Sequence, residues 1–128
     1  MADPTFSKLD SHRLVLRRFA EPDFDSFLAY RSDPDVARYQ SWENYSRNDA
    51  RREVEDLRTL HPNIPGRWFQ FAIEVKATNK MIGDCALLTL AADPGQAEVG
   101  FTLASEHQGR GYAAEALRCL LGYVFISL

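Results

Sequence analysis

Polar and apolar residues alternate along Arg13-Leu14-Val15-Leu16-Arg17-Arg18, and that period of two predicts a first strand. Glu21-Pro22-Asp23 then opens a helix that runs to about Ser32, with Phe24, Phe27, Leu28 and Tyr30 leaning to one side. Asp33-Pro34 stops it, since a proline ring disfavours helical backbone at the residue before it. Ser46 is a good N-cap, and Ser46-x-x-Asp49 resembles a capping box. Beyond it Ala50, Val54 and Leu57 recur at helical spacing opposite a charged face, and this second helix ends before Pro62.

The second half of the chain changes period. Phe69, Phe71, Ile73 and Val75 alternate with Gln70, Ala72, Glu74 and Lys76, the clearest strand signal in the sequence. Ala77-Thr78-Asn79-Lys80 is a turn and Met81 to Leu90 a second long strand, so the pair predicts an antiparallel hairpin. After Asp93-Pro94-Gly95, residues Ala97 to Leu103 extend the meander. Val99, Phe101 and Leu103 fall on one of its faces; Glu98, Gly100 and Thr102 fall on the other. Gly100 marks a bulge or a close approach of a ligand. The last run, Tyr112 to Leu128, sets Tyr112, Ala116, Leu117, Leu120, Leu121, Val124 and Leu128 on one side of a helix. The predicted order is β-α-α-β-β-β-α, an α+β or mixed-sheet domain spanning residues 1–128 as one unit.

At 128 residues the chain is long enough to bury roughly 65% of its unfolded surface. Its 45% hydrophobic and 26% charged residues are those of a water-soluble globular domain. A net charge of −3 argues against a nucleic-acid partner. Arg47, Arg51, Arg52 and Arg58 cluster, but Asp49, Glu53, Glu55 and Asp56 interleave with them, the pattern of a solvated helix face. No apolar run approaches the roughly 18 residues of a membrane span, and Met1-Ala2-Asp3-Pro4 has neither the basic start nor the apolar core of a secretory signal. Cys85 and Cys119 form no Cys-x-x-Cys pair and read as buried free thiols, consistent with a reducing cytoplasm. His12, His61 and His107 share no ligand spacing, so no metal is expected.

Chemistry concentrates in Gln108-Gly109-Arg110-Gly111-Tyr112-Ala113, between the last strand and the last helix. Two glycines at such a junction let successive backbone N–H groups turn toward one point at the positive end of a helix dipole, which makes a phosphate or pyrophosphate cradle. Gly109-x-Gly111-x-x-Ala114 also fits a dinucleotide fingerprint. That site, however, needs a further strand and an acidic residue about 20 positions on, and an antiparallel meander precedes this loop instead. An ordinary tight strand–helix turn is the structural alternative.

Taken together with its neighbours, the loop resembles the GNAT superfamily of acetyl-CoA-dependent N-acetyltransferases. The family signature Q/R-x-x-G-x-G/A is matched by Gln108, Gly111 and Ala113. Arg13-Leu14-Val15-Leu16-Arg17, Asp33-Pro34-Asp35-Val36, Ile82-Gly83-Asp84 and Ala97-Glu98-Val99-Gly100-Phe101 support it, in the right order from about residue 11 onward. The branch it looks most like acetylates protein N-termini, including those of ribosomal proteins, and related small-molecule amines. The resemblance implies acetyl-CoA as acyl donor, with its pyrophosphate on the N–H groups of residues Gln108, Gly109, Arg110, Gly111, Tyr112 and Ala113. It further implies backbone contacts from Phe101, Thr102 and Leu103, and an acceptor groove bordered by the aromatic cluster Tyr39, Trp42 and Tyr45. A complete family domain continues with a strand, a helix and a final hairpin, so the chain is expected to be a partial domain lacking them.

Glu98 is the candidate general base, because an amine acceptor is mostly protonated at neutral pH and must lose a proton before it attacks. A solvated strand glutamate is the plain alternative. N–H groups near Phe101 and Thr102 are candidates to polarise the thioester carbonyl. No serine or cysteine lies in a nucleophile motif, so transfer is expected to be direct. A non-catalytic CoA-binding module and an inactive fragment remain alternatives. With Ala97 to Leu103 as an edge strand and Val124, Phe125, Ile126 and Leu128 short of cover, association of copies is expected.

Overall fold

The computed structural model describes residues 6, 8–20, 22–34, 47–59, 61–62, 66–89 and 97–127. Its spine is a five-stranded antiparallel sheet, β1 (Lys8–Asp10), β2 (Leu14–Arg17), β3 (Trp68–Val75), β4 (Lys80–Thr89) and β5 (Ala97–Leu103), laid side by side in that order. Among the described residues three helices accompany it: α1 (Asp23–Ser32), α2 (Arg47–Thr59) and α3 (Tyr112–Ser127). A short 3-10 turn, Ser105–His107, joins β5 to the glycine loop.

Alternation along the strands sends side chains to two separate cores. On one face Leu14, Leu16, Phe69, Phe71, Ile73, Cys85 and Leu87 meet Ala116, Leu120 and Tyr123 of α3. Phe6, just ahead of β1, completes this core, with its ring edge-on to Phe71 at 5.2 Å. On the other face Ala72 and Met81 pack with Phe24, Phe27 and Tyr30 of α1 and Ala50, Val54 and Leu57 of α2. The sheet is thus sandwiched between α3 and the α1–α2 pair. Each fully buried residue such as Leu120 or Phe27 contributes on the order of 1.5–3 kcal/mol.

Local chemistry explains the boundaries. Asn79 at the β3–β4 turn has φ 55°, a left-handed value that asparagine tolerates, and its N–H donates to Val75 O at 2.8 Å. α1 ends where Asp33 turns extended before Pro34. Its start is pinned to the sheet: Arg17 on β2 donates Nη1 and Nη2 to Asp23 at 2.7 and 2.9 Å and Nε to Glu74 at 2.8 Å.

Two expectations need correction. The order is β-β-α-α-β-β-β-α, because β1 precedes the strand read as first. Lys8-Leu9-Asp10 has a single apolar residue and no readable period; it becomes a strand through pairing of Leu9 with Leu16 on β2. Gly100 marks no bulge, for the β4–β5 register runs unbroken through Ala86↔Gly100, and the irregularity lies between Ile73 and Glu74 on β3. The pairings are antiparallel throughout the described strands, as an α+β domain requires.

Candidate functional site

The loop singled out in the sequence sits where β5 hands over to α3. Gly109 has φ 78° and Gly111 φ 79°, backbone that side chains with a Cβ rarely adopt, so both glycines are required by the turn. A Cβ on Gly109 would meet nothing within 4 Å, and one on Gly111 would meet only Arg13 Nη2 at 3.4 Å. The space in front of the loop is therefore open, apart from one cation. The first helical bond of α3 runs from Glu115 N–H to Gly111 O at 3.1 Å. Helix geometry leaves the N–H groups of Tyr112, Ala113 and Ala114 without a partner in the ladder, and the dipole adds partial positive charge there. Gln108 is turned back, its Nε2 donating to Leu103 O at 3.1 Å, which ties the loop to the end of β5.

Three residues not singled out as site residues from sequence meet this helix end. Arg13, between β1 and β2, donates Nε to Glu115 Oε1 at 2.7 Å and Nη1 to Arg110 O at 3.1 Å. Its guanidinium lies 4.5 Å from the centre of the Tyr112 ring. The Arg13 backbone N–H and the Ser11 hydroxyl donate to the other Glu115 oxygen at 2.7 and 2.5 Å. Burial alone would raise the Glu115 carboxyl. The hydrogen bonds from Ser11 and Arg13, with the charge of Arg13, outweigh burial and hold it at about 2. An acidic residue in the first turn of a helix was a readable hint; its partner 102 residues away was not.

Glu98 lies at the other end of β5, exposed, directly across from Leu88 on β4, which in turn pairs with Trp68 on β3. Gln70, Ala86 and Gly100 form the next row and Ala72, Asp84 and Thr102 the one after. A Cβ on Gly100 would meet nothing within 4 Å. The same face of the sheet thus passes from an open half, with Trp68 45% exposed, to a closed half under α1. Asp84 is buried there, accepting from the Tyr30 hydroxyl and, at 3.3 Å, from Gln70 Nε2, with Arg31 Nη2 at 3.5 Å. Burial pushes its carboxyl up, against the pull of Arg31 and of its hydrogen bonds.

The predicted residues separate into two groups. Gln108 to Ala113 and the C-terminal end of β5, with Thr102 and Leu103 buried and Phe101 half-buried, are contiguous. Glu98 stands several residues back along the same strand. Tyr39, Trp42 and Tyr45 lie outside the described residues. A cavity of about 810 Å³ between α1, the β3–β4 turn and the residues after β5 includes Tyr30, Asp33, Lys80, Met81, Ala104 and His107; it is not centred on Glu98. His107 is half-buried, its ring 6.3 Å from that of Tyr112. Cys85 is buried and Cys119 half-buried, both free. Among the described residues no group of three or more His, Cys, Asp or Glu is arranged to hold a metal ion, and no helix is long and apolar enough to cross a membrane.

Residues 13–128 match the family model described as an acetyltransferase (GNAT) domain. The chain is 34% identical over 121 residues to the uncharacterised N-acetyltransferase p20 of Bacillus licheniformis, covering 94% of this chain and 67% of that protein. It is 30% identical over 125 residues to the uncharacterised N-acetyltransferase YoaA of Bacillus subtilis, covering 96% and 69%. Among solved structures, a GNAT-family acetyltransferase from Bacillus anthracis superposes with a TM-score of 0.81 at 22% identity, over 94% of this chain and 67% of that one. A candidate ribosomal-protein-serine acetyltransferase from Vibrio cholerae gives 0.75 at 21%, over 98% and 69%. At these identities the structural matches speak for the fold.

Proposed function

The chain belongs to the GNAT family of N-acetyltransferases, and on that footing we propose that it transfers acetyl from acetyl-CoA to a primary amine by direct attack. The observation that carries this reading is the pair of left-handed glycines at the start of α3, with open space where the Cβ of Gly109 would stand and only the Arg13 guanidinium beside that of Gly111. A pyrophosphate suits such a cradle: the N–H groups of residues 109–113 and the dipole of α3 supply donors and partial charge, and neither glycine carries a side chain.

The thioester of acetyl-CoA supplies an activated acyl carbon. β5 ends the described sheet, so alternate N–H and C=O groups along it face away from β4. Those near Phe101, Thr102 and Leu103 suit the donor's amide arm and carbonyl. Glu98 takes the proton that the amine must shed, directly or through water; the new N–C bond forms as the C–S bond breaks, and the departing sulfur is protonated to the thiol. An acyl-enzyme is disfavoured on chemical grounds. Burial pushes the Cys85 thiol well up and raises that of Cys119, so neither offers a ready thiolate.

The acceptor is a protein N-terminus or a small-molecule amine. Tyr39 and Trp42 are the proposed acceptor-side residues. A cytoplasmic location accords with acetyl-CoA as donor. Association of copies is part of the same proposal; sedimentation at micromolar concentration reads a dimer if so and a monomer if not.

The decisive experiment is titration of CoA into the parent and into Gly111→Val. A β-branched residue both resists φ 79° and fills the cradle. Loss of binding in a variant that keeps its circular dichroism supports the assignment; unchanged binding removes it. Transfer to an amine by the parent, without an acetylated protein intermediate, then separates an enzyme from a CoA-binding module.

A further inference from the structure

The cradle has a cation beside it whose donors are only partly used. Arg13 spends Nε on Glu115 and Nη1 on Arg110 O, and its flat face rests on Tyr112. Its Nη2 makes no hydrogen bond among the described residues, and this nitrogen is the one 3.4 Å from where a Cβ of Gly111 would stand. The side chain is 41% exposed. A guanidinium fixed on three sides, with its last edge toward an open anion cradle, is preorganised for a phosphate oxygen.

The charge balance of the helix end points the same way. Glu115 lies in the first turn of α3, where a bare carboxylate would oppose a bound pyrophosphate. Here that carboxylate is fully engaged by Arg13 and Ser11 on the side of the β1–β2 loop. Arg13 therefore neutralises Glu115 and offers an N–H edge of its own.

We propose that Arg13 is a phosphate-binding residue of the donor site, its Nη2 edge taking an oxygen of the CoA pyrophosphate, and that Glu115 is the positioning residue that holds the guanidinium in place. The inference rests on the donor-site reading above. Arg13 thereby joins the N-terminal hairpin to a site otherwise built by β5 and α3.

The test is calorimetric titration of CoA, and of pantetheine as the phosphate-free part, into the parent, Arg13→Gln, Arg13→Lys and Glu115→Gln at low and high ionic strength. Arg13→Gln is expected to weaken CoA roughly 10- to 100-fold at low salt, the size of a lost charge-assisted bond. Added salt should narrow the gap, because a phosphate–guanidinium contact is screened where a packing defect is not. Pantetheine binding should not change. Arg13→Lys and Glu115→Gln should show smaller, salt-sensitive losses. A CoA affinity unchanged in Arg13→Gln, or lowered equally for CoA and pantetheine at every salt concentration, overturns the proposal. Arg13→Lys carries the same comparison if Arg13→Gln does not fold. A parent that does not bind CoA at all overturns the donor-site reading itself, a different outcome from a parent that binds and a variant that matches it.

Discussion

The hydroxyl of Tyr30, in the last turn of α1, donates to the carboxylate of Asp84 on β4, 54 residues further along the chain. Both residues are buried, at 4% and 2% exposure, and Arg31 closes the group from the same helix. This polar knot fastens α1 to β4 beneath an otherwise apolar layer.

Removing its parts should therefore cost unequal amounts. Tyr30→Phe withdraws one donor from a carboxylate that keeps two others, and should cost about 1–3 kcal/mol. Asp84→Ala strips Arg31 of its buried partner and should cost about 3 kcal/mol, the low end for a broken buried pair, since Glu53 stays 3.8 Å from Arg31. Urea unfolding of the two variants decides the order. A neutral Asp84→Ala would mean that the knot adds nothing to stability.

Gly83 on β4 pairs with Leu103 on β5 and leaves no room for a side chain. A Cβ there would collide with the Thr102 carbonyl oxygen and lie 2.9 Å from Leu103 Cα, both of them backbone. No side chain can yield, so the strands must shift. Gly83→Ala should lower stability by about 1–3 kcal/mol and disturb the end of β5 that leads into the glycine loop. A midpoint of urea unfolding equal to that of the parent would show that the strands separate freely.

Glu115 predicts an acid-sensitive term. Its carboxyl is held at about 2 in the folded chain against an ordinary value of 4.5, so unfolding takes up a proton between those values. The stability it contributes is complete above about pH 4.5 and is lost as pH falls toward 2. The partly exposed Arg13 makes that contribution salt-dependent. Thermal midpoints measured at pH 3 and pH 7 should differ less in Glu115→Gln than in the parent. An equal difference in both proteins would assign the acid limb to other carboxylates.

If Glu98 accepts the amine proton, Glu98→Gln should lower turnover roughly 10²-fold or more near neutral pH. The deficit should shrink as pH rises and free amine accumulates. Glu98 is exposed and outside the cores, so the variant should unfold like the parent. A pH–rate profile with the parent's shape and height would take Glu98 out of the mechanism.

Much of this architecture is written locally. The β3–β4 hairpin follows from strict alternation around an Asn-containing turn. The buried faces of α1, α2 and α3 follow from helical spacing of residues such as Phe27, Val54 and Leu120. The tight turn into α3 follows from two glycines between a strand and a helix. Each signal lies within a few residues, so periodicity and turn chemistry fix it before any long-range contact forms. Tertiary structure alone decided that Lys8–Asp10 is a strand, since its one apolar residue pairs only once β2 is in place. It also decided that Glu115 meets Arg13 across 102 residues and that Asp84 is buried under Tyr30. A polar residue carries no mark of its partner: the hydrogen bond forms only where chain closure and burial have brought both groups out of water, and those depend on the whole fold.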